Sequence, residues 1–393
     1  MMKFTAVLFC LLFSLASFAE TAATVAKPVA QAAAQASTGL EGVAAIAARS
    51  WVLYDFQSNQ ILAAQNADAR IEPASLTKMM TAYLTFAALK NKKLDLKQVV
   101  PISKNAWKPE GSNMFIEPRM KVTVDELLHG MIIQSGNDAS IALAESLGGT
   151  EDVFAQMMNK EAERMGLTNT HFTNSTGLPN AQHYSTARDL SQLAAAIIRD
   201  FPEYYPLYSI REYTFNNIKQ ANRNRLLGLD PTMDGMKTGH TESAGFCLVG
   251  SSKRGTRRLI SVVTGTASDN ARTAESQKLL NYGFQFFDTQ QLYKKDQEVS
   301  AMPIYKGARN TLKAGFTDDV FVSLPKEQFA KLKANLVSKQ PLLAPLKQGD
   351  KVGVMQLSVD GKTVSELPVL ALEDVAIAGI FGRAWDSIRL LWK

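Results

Sequence analysis

A lysine stands within a segment too apolar for a surface helix. Residues 75–89 carry Leu76, Met79, Met80, Tyr83, Leu84, Phe86 and Leu89, apolar nearly all the way round a 3.6-residue period. Such a helix belongs in an interior, so the chain must provide layers that cover it on every side, and Lys78 is buried with it. Burial disfavours the ammonium form and makes the neutral amine available as a base. Ser75 lies three residues earlier, one helical turn away on the same face. A serine hydroxyl is a weak nucleophile until a nearby base removes its proton, and a lysine can do this only with a lowered pKa. The pair is therefore a candidate nucleophile and base, with no histidine required.

Ser-x-x-Lys alone recurs by chance in a chain of 393 residues, so its setting has to carry the reading. The length allows a large core plus a smaller domain, and 46% apolar with 20% charged residues is the balance of a globular protein. The formal charge of +6 comes without a basic run interleaved with aromatics, so nothing points to nucleic acid. A mildly basic surface suits an anionic lipid or polymer equally well.

The first 19 residues read as an export signal: Lys3, an apolar stretch from Phe4 to Leu15, then Ser17-Phe18-Ala19 as a cleavage site. Of the two cysteines, Cys10 falls in that segment, which leaves Cys247 without an intramolecular partner. Residues 20–44 are alanine-rich and read as a flexible leader.

Beyond residue 45 the pattern predicts a hairpin at 51–56 and 61–64 around Gln57-Ser58-Asn59. Thr123-x-x-Glu126 is a capping box opening a helix that ends near Ser135. Further helices are expected from Asp138 to Leu147, from Thr186 to Arg199 and from Thr273 to Phe287, with a long ordered loop at 169–184. Strands are expected at 248–249 and 259–263. From 288 to 372 short strand-like pieces predominate, the last two separated by Asp360-Gly361, a strong hairpin signal. Residues 373–393 are expected to form an amphipathic helix, with Ile377, Ile380, Phe381, Ala384, Trp385, Ile388, Leu391 and Trp392 on one face. Its near-neutral charge means that apolar burial, on a membrane surface or on another protein surface, has to hold it.

Two further runs follow the first in order. Ser135-Gly136-Asn137 begins 60 residues after Ser75, and Lys237-Thr238-Gly239 begins 102 residues after that. Ser135 can pass a proton to a departing amine, Asn137 can bond a substrate amide, and Lys237 with Thr238 can bind a carboxylate. Gly239 leaves room for an extended peptide to pair with that strand, and the N–H groups of Ser75 and His240 are candidate oxyanion donors.

This trio, with Pro73-Ala74 before it, Glu110-Gly111-Ser112, Asp234-Gly235-Met236 and Tyr184-Ser185-Thr186-Ala187-Arg188-Asp189, resembles the low-molecular-mass penicillin-binding proteins of the D-alanyl-D-alanine carboxypeptidase type. The resemblance covers nearly the whole chain. It implies an α/β (α+β) penicillin-binding/β-lactamase-like transpeptidase fold, an antiparallel sheet flanked by helices over residues 45–287. A smaller all-β domain at 288–372 and a membrane-anchor helix at 373–393 would complete it. It also implies Ser75, Lys78 and Ser135 as catalytic residues, with Asn137, Lys237, Thr238, Gly239, His240, Arg272 and, less directly, Arg223 contacting substrate. The implied substrate is a peptidoglycan stem peptide ending in D-Ala-D-Ala, with β-lactams as covalent inhibitors and no metal or cofactor. The implied location is peripheral, on the periplasmic face of the inner membrane.

Other readings compete with this one. A class A β-lactamase needs a glutamate on the loop between the second and third runs, and 169–184 contains none. An endopeptidase acting on cross-links uses similar residues. A peptidoglycan-binding or shape-determining factor with vestigial catalysis does not need all three runs intact.

Overall fold

The computed structural model describes residues 45–338 and 340–391; the export signal and the leader lie outside the described residues. Five antiparallel strands form the central sheet in the order Gln60–Gln65, Ser50–Asp55, Arg257–Thr266, Gly245–Arg254, Met233–Thr241. The expected hairpin is its first pair, with Val52 opposite both Ala64 and Val262.

Every residue of Ser50–Asp55 is buried, because helices cover both faces of the sheet. Trp51, Leu53, Leu248, Leu259 and Val263 pack with Leu279 and Leu280 of the Asp269–Phe286 helix. Val52, Tyr54, Val249, Ile260 and Val262 face the larger core, shared with helices Lys78–Lys90, Val124–Ile133, Asn137–Gly148 and Ala187–Asp200. The Thr123–Glu126 capping box is made in both directions.

Several expectations need adjusting. The apolar helix begins at Lys78, and Ala74–Thr77 before it is a 3-10 turn. Three residues per turn bring i and i+3 into line, so the turn aligns Ser75 and Lys78 more closely than an α-helix would. The closing helix starts at Asp269, capped by Ser268, not at Thr273. A helix at Glu151–Met165 and a hairpin of Glu212–Phe215 with Ile218–Ala221 had no counterpart in the sequence reading. The helix buries a narrow stripe, Phe154, Ala155, Met158 and Ala162, among charged residues. Its signals were the Thr150 N-cap and Gly166, left-handed at φ 75°.

The C-terminal part is all-β. Six strands run in the order Leu332–Val337, Lys351–Val359, Lys362–Ala371, Thr311–Gly315, Glu298–Tyr305, Leu342–Leu343, and Phe287–Tyr293 pairs with Val320–Pro325. Asp360 and Gly361 both take positive φ (49° and 78°), as a type I′ hairpin turn requires. A buried polar joint ties this domain to the sheet. Asp55 accepts from Arg257 Nε (3.0 Å) and Thr289 Oγ1 (2.6 Å), and Ser58 Oγ meets Ser323 Oγ at 2.8 Å.

The terminal helix is shorter than expected. It spans Ile380–Leu390, while Val375 and Ile377 make β-bridges to Leu346 and Gly307, so the chain before the helix is pinned to the β-domain. Trp392 and Lys393 lie outside the described residues. The helix docks by its polar side: Asp386, only 6% exposed, accepts from Lys306 N, and the Arg389 guanidinium lies over Tyr305. Its apolar side faces outward, Phe381 at 92% and Leu391 at 84% exposed.

Candidate active site

The turn before the buried helix, the connection between two helices and the edge strand of the sheet bring the three runs together. Lys78 is 1% exposed, and its Nζ lies 2.9 Å from Ser75 Oγ, 2.6 Å from Asn137 Oδ1 and 2.8 Å from Thr176 O. Burial lowers its pKa from 10.5 to about 7, and the Arg223 guanidinium pushes the same way against Asp138 and Glu151. Lys237 Nζ is 2.8 Å from Ser135 Oγ and 3.1 Å from Thr238 O. Burial also holds Lys237 well below its ordinary value, helped by Lys78, Arg223 and Arg272. Two amines in one dry pocket repel each other's charge, so each favours the other's neutral form.

Ser135 sits at φ 71°, a left-handed conformation imposed by the short link between the two helices. Asn137 opens the second helix with Oδ1 accepting from Lys78 and Nδ2 donating to Glu110 O. One N–H and one lone pair of its amide are left over to bond a substrate amide.

The loop at 169–184 grips the Ala74–Thr77 turn that carries Ser75. Thr173 N donates to His183 Nδ1 at 3.2 Å, so Nε2 carries the proton and donates to Thr77 Oγ1 at 2.8 Å. Burial lowers the His183 pKa to about 4, so the ring stays neutral near pH 7. Gly177, at φ 83°, passes so close that a side chain there would strike Ala74 O.

Two residues missed in the sequence hold this arrangement. Glu151 accepts from Ser175 N and Oγ, and so fixes the stretch that presents Thr176 O to Lys78. No local pattern distinguished it from any acidic residue in a first helical turn. Asp138, fully buried beside Asn137, accepts from the N–H groups of Met114, Phe115, Ile116 and Ala139 at 2.8–3.3 Å, clamping the 110–116 loop over the site. Asp138→Ala would leave these donors unmet and should lower stability by about 3 kcal/mol, a fall in thermal midpoint of roughly 5–10 °C. Asp138→Asn, which keeps one acceptor, should fall less in the same calorimetric scan.

The remaining candidates divide. Gly239 faces inward: a side chain there would meet Pro73 O, Ala74 and Leu76. Its bareness therefore lets the strand close on the Ala74–Thr77 turn, in place of the room for an incoming peptide that the sequence leads one to expect. Among the described residues, the edge of Met233–Thr241 away from Gly245–Arg254 has no neighbouring strand. Arg272 is 6% exposed and donates to Gly239 O at 3.0 Å while pairing with Asp269, so it braces the strand from behind. Arg223 is exposed and donates from Nε to Gln134 O at 2.9 Å, next to Ser135. The exposed His240 ring packs against Phe246, centroids 3.9 Å apart and tilted by 31°.

A family model described as D-alanyl-D-alanine carboxypeptidase matches residues 32–268, and one described as penicillin-binding protein 5, C-terminal domain, matches 287–376. D-alanyl-D-alanine carboxypeptidase DacC of Escherichia coli is 42% identical over 351 residues, 87% of this chain and 88% of that protein. DacA of Haemophilus influenzae is 43% identical over 355 residues, 88% and 90% of the two chains. The crystal structure of penicillin binding protein 5 from Haemophilus influenzae superposes with a TM-score of 0.82 at 42% identity, covering 85% of this chain and 98% of that one. Penicillin-binding protein D2 from Listeria monocytogenes, in its ampicillin-bound form, superposes at 0.57 with 30% identity, over 62% of this chain and 99% of that one. Both the catalytic and the β-rich parts being matched over most of their length, this chain belongs to the D-alanyl-D-alanine carboxypeptidase family, hydrolases of the low-molecular-mass penicillin-binding type.

Proposed function

We propose that the protein removes the terminal D-alanine of peptidoglycan pentapeptides through an acyl-enzyme on Ser75. The observation that carries this is the environment of Lys78 Nζ. Asn137 Oδ1 and Thr176 O can only accept, so in the neutral amine they take both N–H donors. The lone pair is then directed at Ser75 Oγ.

As Oγ bonds to the penultimate D-alanine carbonyl carbon, its proton passes to Lys78 and the N–H groups of Ser75 and His240 stabilise the oxyanion. Ser135, in contact with Lys237, relays to the nitrogen of the last D-alanine the proton that Lys78 took from Ser75 as the amide bond breaks, which leaves Ser135 protonated and returns Lys78 to its neutral form. Lys237, Thr238 and Arg223 receive the terminal carboxylate, with Arg272 holding the strand that carries two of them. Water, deprotonated by Lys78, then releases the shortened peptide and restores Ser75. A β-lactam acylates the same oxygen, but its ring-opened adduct keeps the leaving group attached and turns over slowly. The test is release of free D-alanine from a pentapeptide ending in D-Ala-D-Ala by protein lacking the last 20 residues. Cleavage of cross-linked dimers instead would point to an endopeptidase.

The expected setting is peripheral, at the periplasmic face of the inner membrane. It is supported by the export signal read at 1–19 and by the outward apolar face of the terminal helix, whose polar side is already used on the β-domain. No helix among the described residues is long and apolar enough to cross a membrane. Removing residues 377–393 should move the protein from the membrane fraction to the soluble one. An unchanged distribution would mean that the helix covers a protein surface.

A further inference from the structure

A hollow of about 450 Å³ lies where the start of the terminal helix meets the β-domain, between Ile377, Ile380, Arg383 and Ala384 on one side and Lys306 and Ala344 on the other. No acidic side chain lines it. The backbone of Lys306 is held from two sides, its N–H donating to Asp386 at 2.6 Å and its carbonyl accepting from Ala378 N at 2.8 Å, so its side chain departs from a fixed point. Arg383 is placed by the helix itself. At 3.6 residues per turn it stands roughly 60° round from the buried Asp386 and roughly 60° from the outward Ile380, on the boundary between the docked side and the apolar one. The neighbouring arginines are paired, Arg309 with Glu373 and Arg389 with Asp386. Among the described residues neither Lys306 nor Arg383 has an acidic partner.

A helix lying in a lipid interface sinks its apolar face by about 5–10 Å, which brings its flanks to the level of the headgroups. With Phe381, Trp385, Ile388 and Leu391 sunk in this way, the flank carrying Arg383 meets the phosphate layer, and Lys306 stands behind it on the β-domain. The walls formed by Ile377, Ile380 and Ala384 lie on the side nearer the acyl chains. The terminal helix alone is close to neutral, so the second cation of this hollow has to come from the β-domain, and the site exists only while the helix is docked through Asp386. We infer that the hollow binds the phosphodiester headgroup of an anionic membrane phospholipid, its oxygens between Lys306 and Arg383 and its glycerol against Ile377, Ile380 and Ala384. The inference rests on the proposed membrane attachment and goes beyond it: apolar burial holds the protein at a bilayer, and this site selects the lipid.

The experiment is co-sedimentation of the protein, terminal helix intact, with vesicles of phosphatidylcholine alone or mixed in equal parts with phosphatidylglycerol. The wild-type protein should bind the mixed vesicles more tightly. The double variant Lys306→Gln/Arg383→Gln should bind them about 25-fold more weakly, about fivefold for each cation at an anionic surface, and should bind pure phosphatidylcholine nearly as the wild type does. Lys333→Gln/Lys362→Gln makes the same change of charge at the far edge of the β-domain sheet, on two exposed residues, and should leave the preference intact. An equal loss in this control would mean diffuse attraction, and no loss in the first variant would mean an idle hollow; either overturns the site. Millimolar inorganic phosphate should release no more protein from the mixed vesicles than chloride of the same ionic strength. Selective release by phosphate would show a site for the free ion and overturn the lipid assignment. Failure of the wild-type protein to bind either vesicle would instead sink the membrane attachment, so the two failures are distinct. Thermal midpoints and fluorescent penicillin labelling report folding of each variant independently of lipid.

Discussion

Ser75→Ala is expected to abolish D-alanine release and covalent penicillin labelling together, with kcat falling by about 10⁴-fold or more. The substitution removes one oxygen, from a partly exposed residue on a turn whose backbone is held by Leu76 N donating to Pro73 O and by the Thr77–His183 hydrogen bond. Folding should therefore survive, and an unchanged thermal midpoint would show that the loss is chemical. Retained labelling in the variant, read by gel fluorescence and located by peptide mass, would place the nucleophile elsewhere.

Lys78→Met should lower the acylation rate about 10³-fold or more, since it deletes the base and leaves Ser75 with an ordinary hydroxyl. In the wild-type protein, the acylation rate should climb with pH and level off above about 7, where Lys78 loses its proton. A rate flat from pH 5 to 9 would exclude an amine that titrates in that window as the base.

The same shift has a consequence for stability. The folded value lies near 7 and the unfolded value near 10.5, so between them the unfolded chain binds more protons. Stability contributed by this group therefore rises with pH across that window, by up to about 1.4 kcal/mol per pH unit, and Lys237 acts in the same direction. Thermal midpoints at pH 7 and pH 9 in wild type and Lys78→Met measure it: the variant should show the shallower slope. Identical slopes would mean that Lys78 keeps its charge on folding.

Much of the scaffold was legible because local signals repeat the tertiary answer. The Thr123–Glu126 box, the Asp360-Gly361 turn and the all-round apolar helix each describe a short segment whose geometry is set by its own residues. The Glu151–Met165 helix has no counterpart in the sequence reading because charged and polar residues outnumber its apolar ones, although Phe154, Ala155, Met158 and Ala162 keep helical spacing. The terminal helix is shorter than its apolar spacing predicts. Ile377 fits the apolar spacing, but its backbone is engaged in a β-bridge to Gly307, a partner far away in the chain.

At the site, the sequence by itself determined the chemistry: a serine, a lysine one turn later in a segment that must be buried, and two further runs able to move a proton and hold a carboxylate. These follow from residue type and short spacing. Only the tertiary structure decided which groups hold them in place. Thr176 O and Asn137 Oδ1 take the Lys78 donors, Asp138 clamps the 110–116 loop, and Arg272 braces the strand carrying Lys237. Only the fold, too, showed that Gly239 is bare in order to approach the nucleophile turn and that the terminal helix spends its polar side on the β-domain. The physical reason is one of range. Propensity, capping and burial of a helix face are read over a few residues, whereas a hydrogen-bond partner or a close approach tens of positions away leaves no local trace until the core has packed.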